Sequence, residues 1–201
     1  MKSLTMGLKG MALAIGCLAL LSCNPLENKT ESSSLLIVQN LTGVNTEGQE
    51  VSYLESDVVR LDDMGNPFVT ADPAIVTFSA KLLDPNSSMG PSQYNDVIVD
   101  RYVVRYTRVE GKNQEGVDVP YAFEGSLSTM VQVNSVTEIS FPIVRASAKL
   151  EPPLVTLAGT TAEGVLQVTA RVDFYGHDMM NKKVTATAYL AIFFANWADQ
   201  N

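Results

Sequence analysis

Cysteine, histidine and tryptophan are scarce in this sequence, and their scarcity excludes several kinds of site. The 201 residues include two cysteines, one histidine and one tryptophan. A zinc centre of the three-histidine type is impossible with one histidine. A Ser-His-Asp triad would have to use His177, which lies in a stretch typical of a solvated turn. No glycine-rich phosphate loop follows a strand pattern, and nothing singles out a pair of carboxylates for glycoside hydrolysis. We therefore expect no enzymatic activity and no cofactor.

Basic residues are also in the minority. The chain has 14 Lys and Arg against 22 Asp and Glu. Residues 1–22 contain two of the lysines and none of the acids, which leaves twelve basic and 22 acidic residues, a net charge of −10, in the rest of the chain. Because nucleic-acid binding depends on neutralising phosphates with Lys and Arg, we expect no nucleic-acid partner. Electrostatic docking on anionic headgroups is disfavoured for the same reason.

The sequence lacks a long hydrophobic run, but a short one lies near its N-terminus. Lys2 and Lys9 supply positive charge at the start of the chain, and an uninterrupted run of small and apolar residues, 10–21 (GMALAIGCLALL), follows. A helix needs about 20 apolar residues to cross a bilayer, so this run is too short for a stable span. Positive charge before a short apolar run is typical of an export signal. The sequence predicts a signal peptide over residues 1–22.

The apolar run ends in Leu20-Leu21-Ser22-Cys23, which resembles the lipobox of bacterial lipoproteins. A Leu lies three places before the Cys and a small residue directly before it. The resemblance implies cleavage that leaves Cys23 first, lipid on its thiol and amino group, and anchoring of the protein in a membrane, most simply the outer membrane. Several acyl chains are needed for firm anchoring. Cys17 would leave with the signal, so that no disulfide can form. The alternative is an ordinary cleaved signal followed by a chance Cys.

A polar stretch separates Cys23 from the first patterned segment. Residues 24–34 (NPLENKTESSS) contain a Pro and a Ser run and show no apolar period, which is typical of a tether. From Leu35 onward, apolar and polar residues alternate in segments separated by turn residues. The predicted organisation is a signal peptide over 1–22, a lipidated Cys and flexible tether over 23–34, and one domain over 35–201.

Alternation with period two predicts an all-β domain. In residues 74–83, Val76 and Phe78 alternate with Thr77 and Ser79, which places one face in a core and the other in water. Seven or more short strands at this spacing predict a Greek-key β-sandwich. The predicted strands are 35–41, 51–59, 74–83, 96–109, 121–133, 137–144, 166–174 and 184–194, with a helical turn at 147–150 and turns at 62–67 and 175–183.

Two segments resemble parts of fibronectin type III and related immunoglobulin-like domains. Residues 100–106 (DRYVVRY), followed by Glu110-Gly111, are similar to the third strand and its turn, and residues 168–194 are similar to the final hairpin. The resemblance implies an immunoglobulin-like sandwich in which the third strand lies beside the final hairpin. The domain would be an enlarged one, because such domains need about 100 residues.

Arginines on the predicted third strand indicate a surface for a protein partner. Alternation places Ile98 inside with Tyr102 and turns the arginines outward. Arg is enriched at interfaces because its planar fork pairs with carboxylates while its stem packs on apolar surface. The alternative is a solvated face on which the arginines pair with local acids such as Asp173. The predicted partner face consists of Val99, Arg101, Val103, Arg105 and, on the final hairpin, Arg171.

Two classes of function remain open. The favoured one is a non-enzymatic structural or protein-interaction module tethered in the cell envelope, and the alternative is a ligand-binding module for glycan or calcium. Asp62, Asp63 and Asn66 offer oxygen ligands to calcium, but their spacing matches no EF-hand, and turns use the same residues. Trp197 is more often a lid over one end of a sandwich than a sugar platform.

Overall fold

The strands expected from alternation are present and lie in two main sheets. The computed structural model describes residues 32–88, 90–158 and 164–197. The predicted signal peptide, Cys23 and most of the predicted tether lie outside the described residues. The all-β class is confirmed. The strands are β1 (Ser34–Val44), β2 (Glu50–Val51), β3 (Tyr53–Asp57), β4 (Arg60–Leu61), β5 (Pro67–Phe68), β6 (Asp72–Leu82), β7 (Val97–Thr107), β8 (Phe123–Val131), β9 (Val136–Val144), β10 (Leu166–Asp178) and β11 (Lys183–Ala195).

Helical structure in the described part of the chain is short. A 3₁₀ turn covers Gln93–Asn95, and two helices, α1 (Ala146–Lys149) and α2 (Leu154–Ala158), connect β9 to β10. Helix α1 is the helical turn expected at 147–150. Of the helices that the structure describes, none is both long and apolar enough to cross a membrane.

The chain crosses repeatedly between the two sheets. One sheet has the order β2-β1-β6-β9 and the other the order β3-β11-β10-β7-β8, while β4 and β5 form a separate hairpin. Strand β3 runs parallel to β11, and the other pairings are antiparallel. Successive strands such as β6 and β7 lie in different sheets, so their connection crosses from one layer of the sandwich to the other. Strand β7 lies beside the final hairpin β10–β11, as predicted for the third strand of the resembled domains.

The core lies between the inner faces of the two sheets. Phe78 of β6 and Phe141 of β9 both pack edge-to-face against Phe174 of β10, with ring centroids 4.9 and 5.4 Å apart. Such aromatic pairs stabilise a core beyond the area that they bury. The buried face predicted for residues 74–83 is confirmed at Val76 and Phe78, which are fully buried, whereas Ser79, predicted to face water, is only 3% exposed. The core also contains residues that are at most 2% exposed on the other strands: Val104, Phe141, Val168, Val172 and Ile192.

Two tyrosine hydroxyls join the sheets by hydrogen bonds. The hydroxyl of Tyr102 donates to the carbonyl oxygen of Pro142 at 2.9 Å, and that of Tyr106 donates to the carbonyl oxygen of Ile143 at 2.6 Å. Burial raises the pKa of both phenols. They therefore stay protonated and act as donors, which links β7 to β9 across the core.

An irregularity in β7 reverses side-chain orientation near the start of the strand. The register with β8 shifts between Val99 and Arg101. An extra residue at such a bulge moves the following side chains to the other face. Val97 and Val99 are consequently fully buried, whereas Ile98 is only partly buried. The prediction that Val99 lies on the outward face is wrong, and so is the placement of Ile98 inside with Tyr102.

The final hairpin turns later than predicted. Pairing between β10 and β11 continues to His177, and β10 ends at Asp178, so residues 175–178 are strand and not turn. Gly176 suggested a turn, but a Cβ at this position would collide with the carbonyl oxygen of Ile98. Glycine in a strand often marks such a close backbone approach. His177 therefore projects from the end of a strand, with Nδ1 3.2 Å from Asp100 Oδ2.

A buried ion pair fastens helix α1 to the sandwich. The Nζ of Lys149 lies 2.8 Å from Oδ2 and 3.0 Å from Oδ1 of Asp72, and it donates to the carbonyl oxygen of Asp57 at 2.6 Å. The hydroxyl of Ser56 donates to the same carboxylate. Lys149 is 1% exposed. A charge buried this deeply is tolerated only when it is paired and hydrogen-bonded.

We expect Lys149→Met to destabilise the domain by about 3–5 kcal/mol, because it leaves the buried Asp72 carboxylate without its counter-charge. Urea unfolding measures the loss. The matched control is Glu124→Gln, which breaks the solvent-exposed pair with Arg101 and should cost at most about 1 kcal/mol. Equal stability of the two variants would contradict a structural role for the buried pair.

Candidate functional site

The outward side of the five-stranded sheet carries the arginines predicted as a partner face. In the register of β7 with β10, Arg105 lies opposite Arg171 and Val103 opposite Asp173. Arg101 lies opposite Tyr175 in the same register. The fold thus brings four of the predicted residues to one surface, Arg101, Val103, Arg105 and Arg171, and leaves out Val99, which is in the core.

Asp173 joins two of these arginines. Its Oδ2 lies 2.7 Å from Arg105 Nη1, and its Oδ1 lies 3.0 Å from Arg171 Nε and accepts a 2.7 Å hydrogen bond from the Thr187 hydroxyl. Asp173 is 7% exposed, whereas both arginine side chains are half-exposed. Pairing with a local acid, the alternative noted for this face, is therefore what these two arginines do.

The environment of Asp173 determines its charge. Burial acts to raise its pKa, but the hydrogen bonds from Thr187 and Arg171 and the charges of Arg171 and Arg105 act against burial. Their combined effect is larger, and the pKa of Asp173 is lowered. The hydrogen bond to Asp173 in turn raises the pKa of Arg171. Asp173, Arg105 and Arg171 therefore form a cluster in which all three side chains are charged at neutral pH. The carboxylate of Asp173 is buried, and the two arginine side chains extend toward solvent.

Two tyrosines extend the arginine face. The guanidinium carbon of Arg101 lies 4.1 Å from the centroid of the Tyr175 ring, and Tyr189 of β11 lies opposite Arg171. Exposed arginine and tyrosine side chains are the types that most often dominate binding energy at protein interfaces. We name the surface of Arg101, Arg105, Arg171, Tyr175 and Tyr189 the Arg–Tyr face. Neither tyrosine was predicted for this face from the sequence: Tyr189 has the outward parity of its predicted strand, but Tyr175 lies where a turn was predicted.

The sandwich has two ends of different character. The proximal end is the one at which Ser34 begins β1 and residues 179–182 turn from β10 to β11. The distal end is the one at which β7 ends, β10 begins and β11 ends. Helix α1 and its ion pair lie at the distal end, because Asp72 begins β6 and Asp57 ends β3 there.

A cleft of about 600 Å³ opens at the distal end. Its walls come from β3, the β4–β5 hairpin and the start of β6, and they combine the apolar side chains of Leu61 and Phe68 with Arg60 and Trp197. The backbone N–H of Trp197 donates to Asp57 Oδ1 at 3.3 Å, while its indole N–H is buried without a partner among the described residues. Carboxylates also line the cleft, from Glu55, Asp57, Asp62, Asp63 and Asp72.

The residues considered for calcium serve the β4–β5 turn. Asp62 Oδ1 accepts hydrogen bonds from the backbone N–H groups of Met64 and Asn66, and the side-chain amide of Asn66 donates to Asp62 Oδ2 at 3.0 Å. The side-chain hydrogen bond from Asn66 is the main reason that the pKa of Asp62 is lowered. Within residues 32–88, 90–158 and 164–197, no group of three or more His, Cys, Asp or Glu side chains is arranged to hold a metal ion.

The lowered pKa of Asp173 predicts a contribution to stability that depends on pH. The contribution is complete above the ordinary Asp pKa of about 3.9 and is lost as the pH falls through the lower value in the folded state. We expect Asp173→Asn to be less stable than wild type at neutral pH, and we expect the difference in stability to shrink as the pH falls below about 3.9. Urea midpoints across acidic pH measure it, and Asp63→Asn, in an exposed turn, is the control. A difference that stays constant with pH would contradict the charged cluster.

The function proposed below rests on the contacts described above and not on a relative of known function. No protein-family model, no curated protein and no solved structure matches the chain.

Proposed function

We propose that this protein is a lipid-anchored, non-enzymatic module of the bacterial cell envelope that binds a protein partner through a β-sandwich. The observation that carries the proposal is the ordered start of the domain shortly after Cys23. The hydroxyl of Ser32 donates to Asp178 Oδ2 at 2.7 Å, and that of Ser34 donates to the carbonyl oxygen of Asn95 at 2.6 Å. A rigid domain therefore begins nine residues after the lipobox cysteine, and the intervening residues have the composition of a tether.

The strand order supports an immunoglobulin-like sandwich. Strands β1, β6 and β9 face β11, β10 and β7, as strands A, B and E face G, F and C in immunoglobulin-like domains. Strand β3, which runs along β11, and the β4–β5 hairpin are additions to that plan. Folds of this kind present rigid faces and loop ends to partners, which suits a tethered interaction module.

The Arg–Tyr face is the surface that we assign to the partner. The side chains of Arg105 and Arg171 are half-exposed, and Tyr189 is 62% exposed. The buried Asp173 holds two of the arginines in place before a partner arrives, which lowers the entropic cost of binding. A partner that presents carboxylates and apolar side chains would complement this surface.

The distal cleft supports a second candidate, a glycan-binding function. Trp197 contributes an aromatic ring to the cleft, and the carboxylates of Glu55, Asp62 and Asp63 in the same walls can accept hydrogen bonds from sugar hydroxyls. Calcium binding is less favoured, because the turn itself uses the oxygens of Asp62. Trp197 is the only tryptophan of the chain, and its fluorescence would report a bound ligand directly.

The lipid anchor is tested by Cys23→Ser, which removes the thiol that receives the lipid. We expect the variant to lose its acyl groups in mass spectra and either to leave the membrane fraction or to remain unprocessed. The matched control is Cys17→Ser, which lies in the removed segment and should be acylated and retained like wild type. Equal acylation and membrane retention of the Cys23→Ser variant would contradict the anchor.

The partner surface is tested by a double variant, Arg101→Ala with Tyr189→Ala. Both side chains are exposed and neither contacts Asp173, so the free energy of unfolding should change by no more than about 1 kcal/mol. We expect loss of the crosslinked envelope partner that wild type captures in membranes. Val109→Ala, in the exposed loop after β7, is the control and should keep that partner. If the double variant retains every partner, the Arg–Tyr face is only a solvated surface.

A further inference from the structure

A shallow apolar groove of about 520 Å³ lies at the proximal end of the sandwich. It lies between the loop after β6, the 3₁₀ turn and the β10–β11 turn, and Ser33 forms part of its rim. Leu83, Tyr94 and Met180 line it, and each is 59–67% exposed. Met179, beside Met180, is also exposed. Single exposed apolar residues are ordinary, but a contiguous group of them marks a surface that contacts a partner or a membrane.

We propose that this groove lies against the phospholipid surface of the membrane that holds Cys23, so that the distal cleft is directed away from the bilayer. The inference rests on the lipid anchor proposed above and adds an orientation to it. In this orientation the proximal end faces the bilayer, and the Arg–Tyr face lies on the side of the domain between its two ends.

The length and exit point of the tether favour this orientation. The side-chain amide of Asn95 donates to the Ser33 hydroxyl at 2.9 Å, which fixes the chain at the rim of the groove. From Ser33, the ten residue steps back to Cys23 reach at most about 33–36 Å. Strand β7 alone, from Val97 to Thr107, spans about 33–35 Å. A distal end facing the bilayer would need the tether fully extended along the whole sandwich, whereas a proximal end needs almost none of it.

The distribution of charge favours the same orientation. Three of the five lysines in the described residues, Lys81, Lys182 and Lys183, lie at the proximal end. The walls of the distal cleft carry one arginine, Arg60, and the carboxylates of Glu55, Asp62 and Asp63, besides the buried carboxylates of Asp57 and Asp72. An anionic bilayer attracts nearby lysines and repels acids. The net charge of the domain disfavours docking as a whole, but this asymmetry orients a domain that is already anchored.

The acids near the groove do not reverse this argument. Asp84 lines the groove and accepts a hydrogen bond from the backbone N–H of Asn86 at 2.9 Å. Asp178 is 1% exposed, and its carboxylate accepts hydrogen bonds from the Ser32 hydroxyl and from the backbone N–H groups of Met180 and Lys182. Asp178 therefore shapes the turn and presents little charge to the surface.

The side chains of the groove suit the interfacial region of a phospholipid leaflet. Tyrosine places its ring at the level of the headgroups, and lysines keep their charge in water while their stems pack on apolar surface. The contact can be weak, since the anchor holds the groove within a few nanometres of the leaflet and gives it a high effective concentration there.

The test uses the lipidated protein with one added cysteine. Cys23 carries lipid and Cys17 is removed, so a fluorophore reacts only at the new position. Met180→Cys reports on the groove, and Val109→Cys, 94% exposed in the loop after β7, reports on the distal end. Both labelled proteins are reconstituted in vesicles of phosphatidylethanolamine and phosphatidylglycerol with brominated acyl chains. We expect a blue shift and quenching at position 180 and neither at position 109.

The outcomes separate this inference from the anchor. A mass spectrum without acyl groups on Cys23 would overturn the anchor and this inference with it. With the acyl groups present, equal quenching at both positions would overturn the orientation alone. A blue shift at position 180 without quenching by brominated lipid, growing with protein density, would mean that a second copy of the chain covers the groove. The triple change Leu83→Ser, Tyr94→Ser and Met179→Ser should weaken quenching at position 180 and leave acylation unchanged.

Discussion

The ion pair between Lys149 and Asp72 is the constraint on which the distal end depends. Lys149 comes from helix α1, Asp72 begins β6, and the Lys149 ammonium also binds the last carbonyl of β3, at Asp57. The side chain of Asp57 accepts a hydrogen bond from the backbone of Trp197, just beyond β11. One ammonium group thereby joins segments from four parts of the chain. A charge of this kind cannot stay buried without its partner. The ion pair therefore holds together the segments that contribute Asp57 and Asp72 to the walls of the distal cleft.

Asp178 plays the corresponding part at the proximal end. One of its carboxylate oxygens organises the turn between β10 and β11, and the other holds Ser32, the first described residue of the domain. The start of the domain is thus bonded to a hairpin near the other end of the sequence. The two ends and the Arg–Tyr face give the sandwich three distinct surfaces. We associate the proximal end with the membrane, the distal cleft with a ligand and the Arg–Tyr face with a protein partner.

Much of the Arg–Tyr face follows from the sequence, because side chains two apart on a strand share a face. That rule correctly groups Arg101, Val103 and Arg105. It fails at Val99, where the bulge inserts a residue, and bulges depend on how neighbouring strands fit together. The pairing of Arg105 with Asp173 could be named only as an alternative, since it requires the register between two strands that are distant in sequence. Tyr189 was missed for the same reason.

The local pattern was sufficient to predict the positions of most strands and most of their buried residues. Alternation with period two within a single segment shows which side chains face water, whichever strands lie beside it. The resemblance of residues 20–23 to a lipobox is also purely local, and these residues lie outside the described part of the chain. Tertiary structure alone decided that residues 51–59 divide between two sheets, with Val51 paired to β1 and Tyr53 to β11. It also decided that Lys149 points inward and that Ser32 meets Asp178, 146 positions away. Such contacts depend on which distant groups the folded chain brings within hydrogen-bonding distance, and no segment specifies that on its own.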